Sequence, residues 1–177
     1  MSGAESDLNE RWTLSMRGIP GAVPRAQLRS TLTYALKPRL RAGIEVNPRS
    51  GKEKVNPLLN WLAVTEGANR PAVMLGTSSD RIGTPTGQSF YMTVAKDVKQ
   101  WTGLPIAPYT GVAYSTYQQR FLWIGGINVN LSRDLSGLVL FDGVHLHPTM
   151  NWSKGRNVVS LILVRGRQPG LSYSVLF

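Results

Sequence analysis

Along most of this chain apolar and polar residues alternate with a period of two, the pattern of half-buried β-strands rather than of helices. Trp12, Leu14 and Met16 share one face of their run, with Arg11, Thr13, Ser15 and Arg17 on the other. Leu28, Leu32, Tyr34 and Leu36 alternate with Arg29, Thr31, Thr33 and Ala35, Ser30 being the lapse. Leu40, Ala42, Ile44 and Val46 oppose Arg41, Gly43, Glu45 and Asn47. In F-L-W-I-G-G-I-N-V-N-L, Phe121, Trp123, Ile127, Val129 and Leu131 oppose Gly126, Asn128 and Asn130. The last run sets Leu171, Tyr173, Val175 and Phe177 against Ser172 and Ser174.

Compact turn signals such as Lys37-Pro38-Arg39, Lys154-Gly155-Arg156 and Gln168-Pro169-Gly170 separate the runs. They predict twelve strands, at 10–18, 25–36, 40–47, 57–66, 71–79, 88–98, 106–117, 121–131, 136–142, 144–153, 157–166 and 170–177. Ten result if 136–153 is a single bent hairpin counted differently. Twelve strands leave about 15 residues per strand plus turn, the spacing of tilted strands that cross a bilayer. Residues 1–9 are expected to form a flexible N-terminal segment ahead of one β-barrel domain, 10–177. Two runs alternate poorly. In 57–66, Asn60, Leu62 and Val64 compete for one face, and 157–166 is apolar on both. Pro57, Pro108 and Pro148 each remove one ladder hydrogen bond, a loss best borne near strand ends.

Composition narrows the class. Eighteen glycines and eleven prolines spread over 177 residues punctuate short strands, and the absence of cysteine excludes disulfides and thiolate metal sites. No stretch nears the roughly 18 consecutive apolar residues of a membrane helix. A mean hydropathy of −0.13 is compatible with a barrel, because alternating strands average to a mild value. The polar faces hold Thr, Ser, Gly, Asn and Arg, with few acids and few lysines. Only 17% of the residues are charged, low for a water-facing surface and suited to a crowded, water-containing lumen. Trp12, Tyr34, Phe90, Trp101, Tyr117, Phe121, Trp152 and Phe177 fall near the ends of runs, as interfacial aromatic girdles do. The expected fold is all-β: a closed antiparallel transmembrane β-barrel.

The chain end, G-L-S-Y-S-V-L-F, with Leu171, Tyr173 and Val175 at alternate positions and Phe177 last, resembles the C-terminal strand of bacterial outer-membrane β-barrel proteins. That resemblance implies an outer-membrane location and partnership with the lipid bilayer. It also implies insertion by a barrel-assembly machinery that reads the closing strand. The opening MSGAESDLNE is polar and acidic, without the apolar stretch of a secretory leader, so the expectation supposes a leader already removed.

A formal charge of +10 often marks a nucleic-acid binder, but the basic residues are dispersed singly, and no nucleic-acid partner is expected. Arg11, Arg17, Arg29 and Arg41 share the polar parity of the first three strands, joined by Glu45. They predict a basic wall lining a lumen, which favours anions and other small solutes. Asn128, Asn130, His145 and His147 are placed on the same lumen lining. Asp142-Gly143-Val144-His145-Leu146-His147 is the one concentration of catalytic residue types, with both histidines on one strand face. A metal pair or a serine–histidine site is conceivable there, but nothing aligns a serine with either ring. No catalytic residue, metal or cofactor is assigned. Gly83-Thr84-Pro85-Thr86-Gly87 lacks the ending of a phosphate loop and reads as an exposed turn. The leading expectation is an integral outer-membrane barrel acting as a small passive pore. The alternatives are a structural membrane barrel without transport, a lipid-acting barrel enzyme, and a soluble β-barrel binding an anionic ligand.

Overall fold

Alternation becomes a pleat whose two faces meet different surroundings. In the computed structural model, which describes Glu5 and residues 9–177, the chain forms twelve antiparallel strands closed on themselves. They are β1 (Trp12–Gly18), β2 (Leu28–Lys37), β3 (Leu40–Val46), β4 (Val55–Val64), β5 (Ala72–Ser79) and β6 (Gln88–Ala95). The second half continues with β7 (Ile106–Ser115), β8 (Arg120–Asn130), β9 (Leu135–Phe141), β10 (Leu146–Lys154), β11 (Asn157–Val164) and β12 (Gln168–Leu176). Each strand pairs with its neighbours in sequence, and β1 closes on β12 from Thr13 opposite Leu176 to Gly18 opposite Leu171. The seam runs on past both strands: Trp12 N–H donates to Phe177 O at 2.8 Å and Phe177 N–H to Trp12 O at 3.0 Å. The start of β1 and Phe177 therefore lie at one end of the barrel, the terminal end. The loops after β1, β3, β5, β7, β9 and β11 lie at the other, the distal end. Residues 1–4 and 6–8, most of the expected N-terminal segment, fall outside the described residues.

The pairings put Trp12, Leu14 and Met16 outside with Leu32, Ile44, Val112, Ile127, Leu161 and Tyr173. Among the described residues, no outward position between the strand ends carries Asp, Glu, Lys or Arg. Large apolar side chains stand exposed on this surface, Phe121 at 74% and Trp123 at 66%. Aromatic rings collect at two levels. Trp12 and Tyr34, their centroids 4.7 Å apart, join Trp61 and Trp152 toward the terminal end. Tyr114 and Phe121, 5.2 Å apart, join Phe90 and Phe141 toward the distal end.

Local departures have physical reasons. The run 25–36 is strand only from Leu28; Pro24 opens a single helical turn, α1 (Pro24–Gln27), where its fixed φ and missing N–H suit the first helical position. Ile19 N–H donates to Gln27 O at 2.9 Å and closes that loop. In β4 a bulge between Leu62 and Val64 resolves the competition within 57–66. Asn56, Leu58, Asn60 and Leu62 face inward, and the extra residue turns Val64 out opposite Val73. In β11, Val158, Ser160 and Ile162 point in while Val159, Leu161 and Leu163 point out. Part of the lumen wall is thus apolar. Pro57, Pro108 and Pro148 are each the third residue of their strand, near the end where a missing bond does least harm. A further one-turn helix, α2 (Lys99–Thr102), lies in the β6–β7 connection at the terminal end.

Candidate functional site

Arg17, Arg29 and Glu45 gather inside the barrel toward its distal end because three adjacent strands deliver them there. Arg17 of β1 stands opposite Arg29 of β2, and Thr31 of β2 opposite Glu45 of β3. Glu45 is fully buried; Arg29 Nη2 lies 2.5 Å from its Oε2 and Arg25 Nη1 4.0 Å from its Oε1. Asn47 Nδ2 donates to Oε1 at 2.8 Å. A buried carboxylate needs such partners, since unpaired burial of a charge is costly. Glu45 thus serves Arg25 and Arg29 and also acts on Arg17, while Asp80 and Glu53 act on Arg25; counting Arg81 of the loop, four arginines face three carboxylates here, an excess of one positive charge. The Nε groups of Arg17 and Arg29 are buried without a hydrogen-bond partner.

Arg25 does more than pair. From α1 its guanidinium enters the β5–β6 loop, residues 80–87, and donates to Thr84 O (2.9 Å), Asp80 O (2.9 Å), Arg81 O (2.7 Å) and Thr84 Oγ1 (3.0 Å). A planar fork of fixed donors suits such a ring of carbonyls; a lysine ammonium does not. The loop is tied at two more points. Asp80 Oδ2 accepts from Ser115 Oγ of β7, and Gly87 N–H donates to Glu53 Oε2 at 2.6 Å. Gly87 has φ +104°, and a side chain there would press on Tyr117, so glycine is required. The sequence reading of this loop as an exposed turn is corrected: Thr84 is wholly buried. Ile82 reaches across the lumen to line a cavity with residues of β1, β10, β11 and β12. Gly83 lies close to the Arg165 side chain of the β11–β12 turn, so the loop spans the distal mouth.

Beneath it the interior divides. A cavity of about 330 Å³ lies against β9 to β12, β1 and β2, and a smaller one of about 160 Å³ is lined by Tyr91, Tyr109, Arg81 and Leu122. Tyr91 donates to Asn60 Oδ1, and Gly76 makes room for it: a Cβ there would sit 2.5 Å from the phenolic oxygen. Gly126 likewise faces the Tyr109 ring, 2.7 Å from where a Cβ would be. Large rings opposite glycines fill this side of the barrel.

The histidine-bearing segment is a turn. Asp142 Oδ1 accepts from the amides of Val144 (2.9 Å) and His145 (2.8 Å), and Oδ2 lies 2.9 Å from His147 Nε2. Burial raises the Asp142 pKa, but the hydrogen bonds from His147 and the two amides more than offset it, so the carboxyl titrates below its ordinary value. His147 Nδ1 accepts the Arg165 N–H at 3.4 Å, which places the ring proton on Nε2, toward Asp142. Both ring nitrogens are thus engaged, and the ring joins the β9–β10 and β11–β12 turns. Among the described residues, no group of three or more His, Asp or Glu side chains is placed to hold a metal.

The lumen expectation meets this geometry unevenly. Arg17, Arg29 and Glu45 are brought together. Arg41 points inward from β3 and donates to Thr13 Oγ1 at 2.6 Å, closer to the terminal end. Arg11 precedes β1 and lies exposed at the rim, donating to Tyr34 Oη at 3.1 Å on the outer face. Asn128 points inward with a buried Oδ1 that has no partner, and Asn130 lies exposed at the end of β8. His145 belongs to the turn, and only His147 enters the barrel with Thr149 and Asn151. Arg25 and Ile82, which organise the distal mouth, carried no sequence signal beyond the Pro20-Gly21 and Pro24 punctuation before Arg25. No protein-family model matches the chain, and no curated protein matches it.

Proposed function

We propose that this chain is an integral membrane β-barrel of the outer-membrane type, acting as a narrow pore that favours small anions and is constricted by loop 80–87. The observation that carries the reading is the inversion of its two faces. A barrel in water turns its apolar face in and its charges out. Here the strands' outward positions are uncharged and the buried charges stand inside. A belt of exposed Leu, Ile, Val and aromatic residues all round the wall matches hydrocarbon, with rings at two levels for the two interfaces. Inside, permanently charged guanidiniums between low-dielectric walls focus a positive field, so a small excess of charge sets ion preference. The excess of Arg17, Arg25, Arg29 and Arg81 over Glu45, Glu53 and Asp80, one charge, supplies it.

The test has two stages. In vesicles of brominated lipid, fluorescence of Trp61, Trp123 and Trp152 should be quenched; a folded protein that stays in solution without detergent overturns the membrane reading. In planar bilayers under a salt gradient, the reversal potential should lie on the anion side. It should move toward zero at 1 M salt, where the screening length falls to about 3 Å. Correctly inserted barrels that pass no current overturn the pore and leave a structural membrane barrel.

A further inference from the structure

The larger lumen cavity is polarised. Going round the barrel its wall runs β2, β1, β12, β11, β10, β9. At one edge stand Arg29 and Arg17, each with a buried Nε lacking a partner. At the other edge Leu138 and Leu140 project from β9, joined by Ile162 of β11 and by Ile82 of the folded-in loop. β2 and β9 are five strands apart in a ring of twelve, so these edges face one another across the lumen. Between them runs a floor of Ser15, Ser174, Ser172, Ser160 and Thr149, which donate or accept as a polar guest requires. The volume of about 330 Å³ equals the space of about eleven waters at ~30 Å³ each.

We propose that this cavity binds a medium-chain aliphatic carboxylate, its head on Arg17 and Arg29 and its chain against Ile82, Leu138, Leu140 and Ile162. Guanidinium and carboxylate match as a bidentate pair, and the surplus positive charge of the cluster supplies the attraction. A bare inorganic anion would leave the aliphatic edge unused. A sugar acid could reach Thr149 and His147 beside the two leucines, but it would leave Ile82, Leu138, Leu140 and Ile162 without an apolar guest. An uncharged alcohol of the same length would bring no anion to Arg17, Arg29 being already paired with Glu45. A chain of about eight carbons, with roughly ten non-hydrogen atoms, fills the space. The site rests on the same basic lumen as the pore reading but not on conduction.

The experiment holds the barrel in lipid nanodiscs and follows ¹³C-labelled octanoate by NMR, with empty nanodiscs as the baseline for partition into lipid. Saturable binding at one site per barrel is expected, weakened about tenfold in Arg17→Gln, the loss of one charge-assisted contact. Octan-1-ol should show no saturable component, and sulfate and gluconate should compete poorly. Leu138→Asn should weaken octanoate and leave sulfate unchanged, which keeps the test decisive if Arg17→Gln fails to fold. Absence of saturable octanoate binding, competition by sulfate or gluconate as strong as octanoate itself, or indifference to both substitutions overturns the proposal. Saturable binding by a barrel that carries no current keeps this site and removes the pore; current without octanoate binding does the reverse.

Discussion

At Ile127 and Asn128, adjacent side chains of β8 face opposite media, and the contrast gives a direct test of sidedness. Ile127 is 47% exposed on the outer wall between Pro108 and Val139, while Asn128 points to the lumen beside Leu138. Ile127→Arg should cost about 2–4 kcal/mol in a lipid-held barrel, measured by denaturant unfolding, whereas Asn128→Ser should be nearly neutral. Equal tolerance at the two positions would contradict a lipid-facing belt. This level of detail was readable from parity alone, because a period of two assigns every side chain once one is placed. Parity failed at His145, where Asp142 captures two backbone amides and holds the segment as a turn rather than a strand. That carboxyl also makes stability depend on pH. Its folded pKa lies below the ordinary value near 3.8, so the unfolded chain takes up a proton first. Its stabilisation is fully present above about pH 4 and is lost as pH falls through the folded value. The thermal midpoint of the wild type should therefore drop on acidification below about pH 4. Asp142→Asn should start lower and show less of that drop; identical acid profiles would refute the assignment.

The β5–β6 loop shows what strand patterning does not reach. Gly83-Thr84-Pro85-Thr86-Gly87 has the composition of any surface turn, and nothing local tells that it folds inward. What holds it is remote in sequence: the Arg25 fork on three of its carbonyls, Ser115 on Asp80 and Glu53 on Gly87. Arg25 itself was hidden in a run that reads as strand from 25 to 36 and is a helical turn before Leu28. Partnerships between a loop and a distant side chain have no periodicity to betray them. Strands differ in this respect, and ten of the twelve were placed within about two residues of where they stand, within the usual spread of strand-end assignment; 25–36 begins three residues before its strand and 88–98 ends three residues beyond its own. Removing the fork should release the loop. Arg25→Ala is expected to cost about 3 kcal/mol, since it breaks a buried ionic contact as well as the carbonyl bonds. It should also expose Arg81 to trypsin and, on the pore reading, raise single-channel conductance. Arg25→Lys should behave more like Arg25→Ala than like the wild type, because an ammonium cannot serve several carbonyls in one plane. A loop as resistant to trypsin in Arg25→Ala as in the wild type would show that the other two ties suffice.

At the scale of the whole molecule, closure removes the unpaired edges that an open sheet of this apolarity would offer to other chains. The strand count followed from turn spacing and closure from the two-faced pattern, but the register in which β1 meets β12 did not, because a seam between strands so far apart in sequence leaves no local mark in either. In the barrel it runs from Gly18 and Leu171 to Trp12 and Phe177, with reciprocal backbone bonds between the last two. Phe177 contributes to that seam through its backbone and stands 52% exposed on the outer wall, near Trp12 at the terminal end. Its side chain adds little packing to the finished barrel. Its absence removes only the final pair of a ladder that still holds Thr13 to Leu176. The equilibrium stability of the folded barrel should therefore change by about 1 kcal/mol or less when Phe177 is deleted, the worth of one or two net hydrogen bonds. If the closing strand is read during assembly, as the outer-membrane proposal requires, the same deletion should sharply reduce insertion in cells. Refolding from urea into detergent micelles would remain intact and would be scored by the gel mobility shift between unheated and boiled samples. Normal insertion of the truncated chain in cells would count against assembly through the C-terminal strand. Loss of refolding in micelles as well would show instead that the seam needs its last residue to close, a structural role that this geometry does not predict.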